Sequence, residues 1–243
     1  MRQVLKNLCA TLGASDASWM VMSKLESDHP MLPKAGYFDE VIQEMKGWTP
    51  LAAVYLNPQK VLKRVYERWC MHARKSGIDP MTRELVKNVG ESRACIREDV
   101  FTDKEWGDHW MVRNFLNYYG VGERMVGVIP IIHNAECVVV LDRPVNAKPF
   151  TQSDKHFFHL AIAGLRELQR NLSLERGAIQ ATAPLSRRER ETYCYLLTSM
   201  SEGEIAVQMK LSSHTVHDYA RKLYKKFDVK GRVGLMALVL GSE

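Results

Sequence analysis

The side chains with the widest chemical reach near the C-terminus are His217, Asp218, Arg221, Lys222 and Lys225. On a helical wheel of about 100° per residue they share one arc, while Val216, Ala220, Leu223 and Phe227 form the opposite stripe. Such a helix has an apolar back that packs and a front of long polar groups. Imidazole, carboxylate, guanidinium and ammonium groups so placed can meet base edges in a DNA major groove and neutralise phosphates. A basic amphipathic helix on the surface of an unrelated fold has the same pattern. The preceding segment supplies a support for the first reading. Ser201 followed by Glu204 forms a capping-box pattern, Ile205, Ala206, Met209 and Leu211 are apolar, and Ser212 can cap the next helix.

No comparable set points to catalysis. His156 and His159, Cys95, and His109 beside Asp108 are the candidate groups, and they compose no nucleophile, base and orienting residue. A GxxxxGK[ST] loop is absent, and "GVGERMVG" follows a helix and opens a strand, the wrong context for a nucleotide fingerprint. Cys70-Met71-His72 is too short for a zinc site, and the five cysteines form no CxxC pair, which suits reduced thiols in a cytosol. Neither an enzyme, a metal nor a cofactor is expected.

The chain has 243 residues, enough for two domains, and a formal net charge of +6. From Leu185 onward ten Lys/Arg stand against seven Asp/Glu, a net of +3, so the tail carries half the excess and favours a polyanionic partner. The longest apolar runs, "MVGVIPII" and "CVVVL", fall short of the roughly 18 residues of a membrane span. The N-terminus lacks the apolar core of a secretory signal, so a cytoplasmic location is expected.

Elements follow from local chemistry. Val4, Leu5, Leu8 and Leu12 mark an N-terminal amphipathic helix; "ASWMVMSK" (17–24) is a strand; Pro30 and Pro33 mark a loop; a helix covers 38–46. Asn57-Pro58 is expected to start a helix running to about Lys75, and Asp79 to cap one reaching about Asn88. Residues 92–99 suit a strand, and 103–120 an aromatic-rich helix with Trp106 and Trp110 on one face. "RMVGVIPIIH" and "ECVVVLDR" flank Asn134-Ala135 as a hairpin. Thr151 with Asp154 starts a long helix to about Leu174. The fold class is α+β with two domains. An N-terminal α/β/α sandwich on a largely antiparallel sheet spans 1–174, a Pro-terminated linker 175–184, and a C-terminal domain 185–243, which the resemblance described next implies is an all-α four-helix helix-turn-helix.

The segment from Leu185 to Leu240 resembles the LuxR-type helix-turn-helix domain. The matching positions are Leu185, Ser186, Arg188-Glu189, Glu191, Glu204-Ile205-Ala206, Leu211-Ser212, Thr215-Val216, Lys226-Phe227, Val229 and Arg232. The resemblance implies binding of double-stranded DNA. It implies base-edge contacts from His217, Asp218 and Arg221, phosphate contacts from Thr215, Lys222, Lys225 and Arg232, and a dimerisation helix over 232–240. This chain departs from the family with Ser199, Lys210 and Asp228 in place of Gly and Tyr219 in place of His; Lys210 and Asp228 sit at turns where φ > 0 is often wanted.

The front half resembles the GAF-like sensor domains fused to such tails, on the strand ending Asp142-Arg143 and on Pro149-Phe150-Thr151 with Asp154. It is similar to the autoinducer-binding domain at Asp79-Pro80, but Tyr66 and Cys70 stand where that family's Trp and Tyr would fall. The implied function is a transcription regulator, acting as a homodimer, whose sensor controls DNA binding through a small molecule or dimer state. An acyl-homoserine-lactone quorum-sensing receptor and a ligand-independent dimeric regulator are the alternatives. Trp48, Tyr55, Tyr66, Asp79, Trp106, Trp110 and Tyr118 are the candidate ligand contacts, among aromatics that also include Tyr37, Trp69 and Phe115.

Overall fold

The computed structural model describes residues 1–24 and 39–240. The expectations for Pro30, Pro33, Tyr37 and Phe38 lie outside the described residues. The chain divides into two compact units, Met1–Gln169 and Arg170–Glu243.

The first unit is built on five antiparallel strands: β1 (Asp16–Lys24), β2 (Trp48–Tyr55), β3 (Arg93–Ile96), β4 (Val121–Ile132) and β5 (Ala135–Pro144), ordered β2-β1-β5-β4-β3. Both faces are covered, so apolar residues occupy both alternating sets. Ala17, Trp19, Val21, Cys137, Val139 and Leu141 are buried on one face, against α1 (Arg2–Leu12) and α6 (Gln152–Ala163). That contact is close because Gly127 has no side chain: a Cβ there would lie 2.6 Å from the Phe158 ring. The opposite face packs under α3 (Leu62–Ser76), α4 (Pro80–Leu85) and a π-helical stretch, Met111–Leu116. Two short helices, α2 (Asp39–Glu44) and α5 (Asp103–Asp108), complete this layer. The expected α/β/α sandwich is the observed one.

Several boundaries differ from the sequence reading. Asn57-Pro58 starts a turn rather than a helix: Asn57 Oδ1 accepts from the Gln59 amide at 2.9 Å, and α3 begins only at Leu62 after an extended Val61. The intervening Lys60 is drawn onto the sheet, with Nζ 2.6 Å from Asp16 and 3.2 Å from Asp142. The helix expected over 103–120 is broken. Thr102 caps α5 with a capping box, His109 then turns to extended backbone (ψ 142°), and the π-helical stretch follows. Trp106 anchors the break by donating Nε1–H to the Gly122 carbonyl at 2.9 Å. The hairpin turn is His133-Asn134, one residue earlier than expected. The helix begun at Thr151 is interrupted after Ala163, and α7 (Arg166–Glu175) follows.

At one end of the sheet Asp142 gathers charge. Register sets it opposite Asp16 on β1 and Arg124 on β4. Arg124 grips both its oxygens at 2.8 and 2.9 Å, and Lys60 adds a third contact. Burial alone would raise the carboxyl pKa; the neighbouring guanidinium and ammonium outweigh it and hold it below the usual carboxylate range. The stability this contributes is fully present above the unfolded-state value and lost as pH falls through the lower folded value.

The second unit contains α8 (Arg187–Leu196), α9 (Glu202–Met209), α10 (Ser213–Lys226) and α11 (Arg232–Leu240). The segment before α8, read from sequence as a linker, packs onto these helices. Ala178 and Ile179 are buried, and the Thr182 amide donates to the Lys226 carbonyl at 2.8 Å.

Asp142→Asn leaves the buried Arg124 without its anion, while Lys60 keeps Asp16, and is expected to cost about 3–5 kcal/mol near neutral pH. In urea denaturation the gap between variant and native protein should narrow as pH falls below the unfolded-state carboxylate value of about 4, and close once pH has passed through the lower value of the folded protein. A pH-independent gap would show that charge is not the cause.

Candidate functional site

The second unit presents a helix-turn-helix built by caps. Ser186, Ser201 and Ser212 accept hydrogen bonds from the amides of Glu189, Glu204 and Thr215, and the first two complete capping boxes. Between α9 and α10 the chain turns on Lys210, at φ 56° and ψ 48°. Asp228 also has positive φ, 53°. Both departures from Gly therefore fall where a side chain strains the backbone.

Val216, Ala220, Leu223 and Phe227 are buried, as the wheel requires. Tyr193 stacks on Phe227 with ring centres 5.7 Å apart, fixing α10 against α8. The other arc is outward: His217, Arg221, Lys222 and Lys225 are exposed, and Asp218 and Thr215 are partly so. These groups come together on one surface. Thr215 Oγ1 lies 2.8 Å from Ser212 Oγ, and Asp218 is 3.7 Å from the imidazole of His214. Lys226 turns away, donating to Glu189 and to the Pro184 carbonyl at 2.9 and 3.0 Å. Burial would raise the Glu189 carboxyl pKa, but the Lys226 ammonium and the Ser186 amide and hydroxyl lower it.

Arg232 corrects the expectation of a phosphate contact. Its guanidinium donates to the carbonyls of Leu196 at 2.7 Å and Met200 at 2.5 Å, and to that of Thr198. These are unpaired acceptors after the end of α8, so Arg232 closes that helix and ties it to α11. In α11 only Leu235 is buried; Val233 and Leu240 are 83% and 76% exposed, leaving an apolar helix face uncovered in the single chain.

Residues 183–239 match the family described as "GerE: Bacterial regulatory proteins, luxR family". This segment is a luxR-family regulatory domain. No curated protein matches the chain. Among solved structures, Escherichia coli SdiA is similar over 99% of this chain and 91% of its own, at 15% identity and TM-score 0.42. SdiA in complex with octanoyl-rac-glycerol is similar over 98% and 87%, at 15% identity and TM-score 0.41. The VqsR LBD domain from Pseudomonas aeruginosa is similar over 70% and 83%, at 11% identity and TM-score 0.44. Similarity at this level identifies no ligand. The luxR-family domain lies wholly within the second unit.

The first unit holds a cavity of about 170 Å³ between the sheet and the layer of α3, α4 and the π-helical stretch. Its floor is the alternating set Ser18, Met20, Met22 on β1, Val126 and Val128 on β4, and Val138 and Val140 on β5. Its roof includes Val65, Tyr66, Trp69, Met81, Met111 and Phe115. Of the candidates, Trp48, Tyr55, Tyr66 and Asp79 line it. Trp106, Trp110 and Tyr118 do not. The break at His109 separates the two tryptophans; Trp106 is core, packed edge-on against Phe101 at 5.2 Å. Trp110 lies between the rings of His109 and His72. Tyr118 is on the surface beneath the Arg68 guanidinium, 3.4 Å from its ring centre.

Sequence reasoning missed Lys60, Arg124, Tyr119, Thr82 and the methionine wall, all of which line the cavity. The alternation of β1, β4 and β5 was the signal for the floor. Asp79 is 1% exposed. It accepts from the Thr82 amide and hydroxyl at 3.0 and 2.8 Å and from Trp69 Nε1–H at 3.1 Å. No ion pair is recorded for it among the described residues, so its charge is held by neutral donors. Burial pushes the phenol pKa of Tyr55 and Tyr66 above its ordinary range, so both are neutral donors at the cavity wall.

Lys210→Gly should relieve the left-handed strain and stabilise the helical unit by about 1 kcal/mol. Thermal denaturation checks this; an unchanged or lower midpoint would mean that Lys210 occupies the turn without strain.

Proposed function

We propose that this chain is a DNA-binding transcription regulator, with the helix-turn-helix reading duplex DNA and the sandwich acting as its sensor. The observation that carries the reading is α10, packed along Val216, Ala220, Leu223 and Phe227 and open along His217, Arg221, Lys222 and Lys225. Its exposed arc enters the major groove, where Arg221 can pair with guanine O6 and N7 and His217 can meet a neighbouring base edge. Thr215, Lys222 and Lys225 contact phosphates, which set position and salt dependence without reading sequence. Asp218 opposes phosphate; its carboxylate lies 3.7 Å from the His214 imidazole. Two copies acting on two half-sites would cover the exposed apolar residues of α11.

The cavity favours a small-molecule sensor over a purely dimerising module. An apolar cavity of about 150 Å³ can hold a benzene-sized body, and this one is of that order. Its walls suit a mostly apolar ligand with one donor directed at Asp79 and acceptors at the phenols. Binding shifts DNA affinity only as far as the ligand prefers one arrangement of the protein over another. The acyl-homoserine-lactone alternative is favoured by Asp79 alone, whose carboxylate could accept the ligand's amide N–H.

In gel shifts the full chain should bind duplex DNA with an affinity that falls steeply with salt; weak salt dependence or no shift would remove the reading. Arg221→Ala should lose about 1–3 kcal/mol of discrimination at one base pair, whereas Lys225→Ala should weaken all sequences alike and lower the salt slope by about one. Val138→Trp should fill the cavity floor. Native mass spectrometry of the purified chain should show a bound small molecule that the filled variant lacks; retention of the molecule in the filled variant would place it elsewhere.

A further inference from the structure

The polar arc of α10 is not free of contacts from α9. His217 Nδ1 lies 3.0 Å from Glu202 Oε2, although the two residues are fifteen apart in sequence. Glu202 is the first residue of α9, directly after the Ser201 cap, and is therefore held by a capped helix end. His217 is 53% exposed, so the pair stands on the open surface of the helix-turn-helix. A carboxylate there is otherwise costly for a surface that meets phosphates, and it contributes nothing to the packed stripe.

We propose that Glu202 is a positioning residue for sequence reading: it fixes the orientation and tautomer of His217. The inference rests on the DNA-binding reading above. A carboxylate accepts, so Nδ1 of the imidazole carries the proton that points at Glu202. In the neutral ring Nε2 is then the acceptor, aimed away from α9 on the outward face of α10. An acceptor at that position selects a donor on the base edge, the N6 amino group of adenine or the N4 amino group of cytosine, and rejects guanine and thymine, which present acceptors there. Without Glu202 the ring can rotate and exchange tautomers, and either kind of base edge satisfies it.

The full chain is used to select from duplex DNA carrying a randomised segment of about 20 base pairs, the span of two half-sites. The native protein should enrich a site with adenine or cytosine at one position. Glu202→Ala should lower that preference roughly 3- to 10-fold, the worth of one hydrogen bond, and leave the guanine preference set by Arg221 intact. Removing the acidic group should also raise affinity for unrelated DNA, a result opposite to that of a damaged fold. His217→Ala should relax the same position, and the double variant should relax it no further than either single change. An unchanged site in Glu202→Ala, or additive losses in the double variant, overturns the assignment while leaving DNA binding in place. Failure of the native chain to enrich any site overturns the DNA-binding reading and this inference with it.

Discussion

The sandwich depends on one buried charge. Asp142 sits where β1, β4 and β5 end together, and its carboxylate is shared between Arg124 across one strand pair and Lys60 above the sheet. A lone carboxylate in that place would be expelled or neutralised; two cations make it tolerable, and Asp16 balances the second of them, Lys60. The consequence is geometric. Holding Lys60 against the sheet delays the start of α3 until Leu62 and lays that helix across the strands as the cavity roof. The cavity is therefore bounded at one end by a self-neutralised cluster, with phenols, thioethers and the Asp79 carboxyl elsewhere on its wall.

What was legible in the sequence was whatever local chemistry decides. Asp79, Thr151, Ser201 and Ser212 each carry a cap, and the α10 stripe follows from spacing alone. The features that were not legible depend on partners distant in sequence. Asn57-Pro58 has the composition of a helix start, but Lys60 is claimed by Asp142, 82 residues away. "DKEWGDHWMVRNFLNYYG" reads as one helix until Trp106 is tied to the Gly122 carbonyl. Trp106, Trp110 and Tyr118, on either side of that break, stand off the cavity, whereas Trp48, Tyr55, Tyr66 and Asp79 line it from β2, α3 and the cap of α4. Arg232 shows the same limit in the second unit: the resemblance implied a phosphate contact, and its guanidinium holds three backbone carbonyls.

Helix-turn-helix function sets opposing demands on this short domain. The reading helix must be rigid, yet its exposed arc must carry groups that gain nothing from folding. Rigidity comes from the caps, from Tyr193 on Phe227 and from Arg232 at the end of α8. The strained Lys210 turn shows that stability has not been maximised, since glycine would relax the backbone there.

The close seat of α6 on Gly127 makes the sandwich stiff on one side only. Phe158 and Ile162 fill the space a side chain would occupy, so that layer cannot approach further. The other side is walled by Met20, Met22, Met45, Met81 and Met111, unbranched chains that can bend to new shapes. The two faces of the sheet are thus packed differently, one closed against backbone at Gly127 and the other lined by adaptable thioethers.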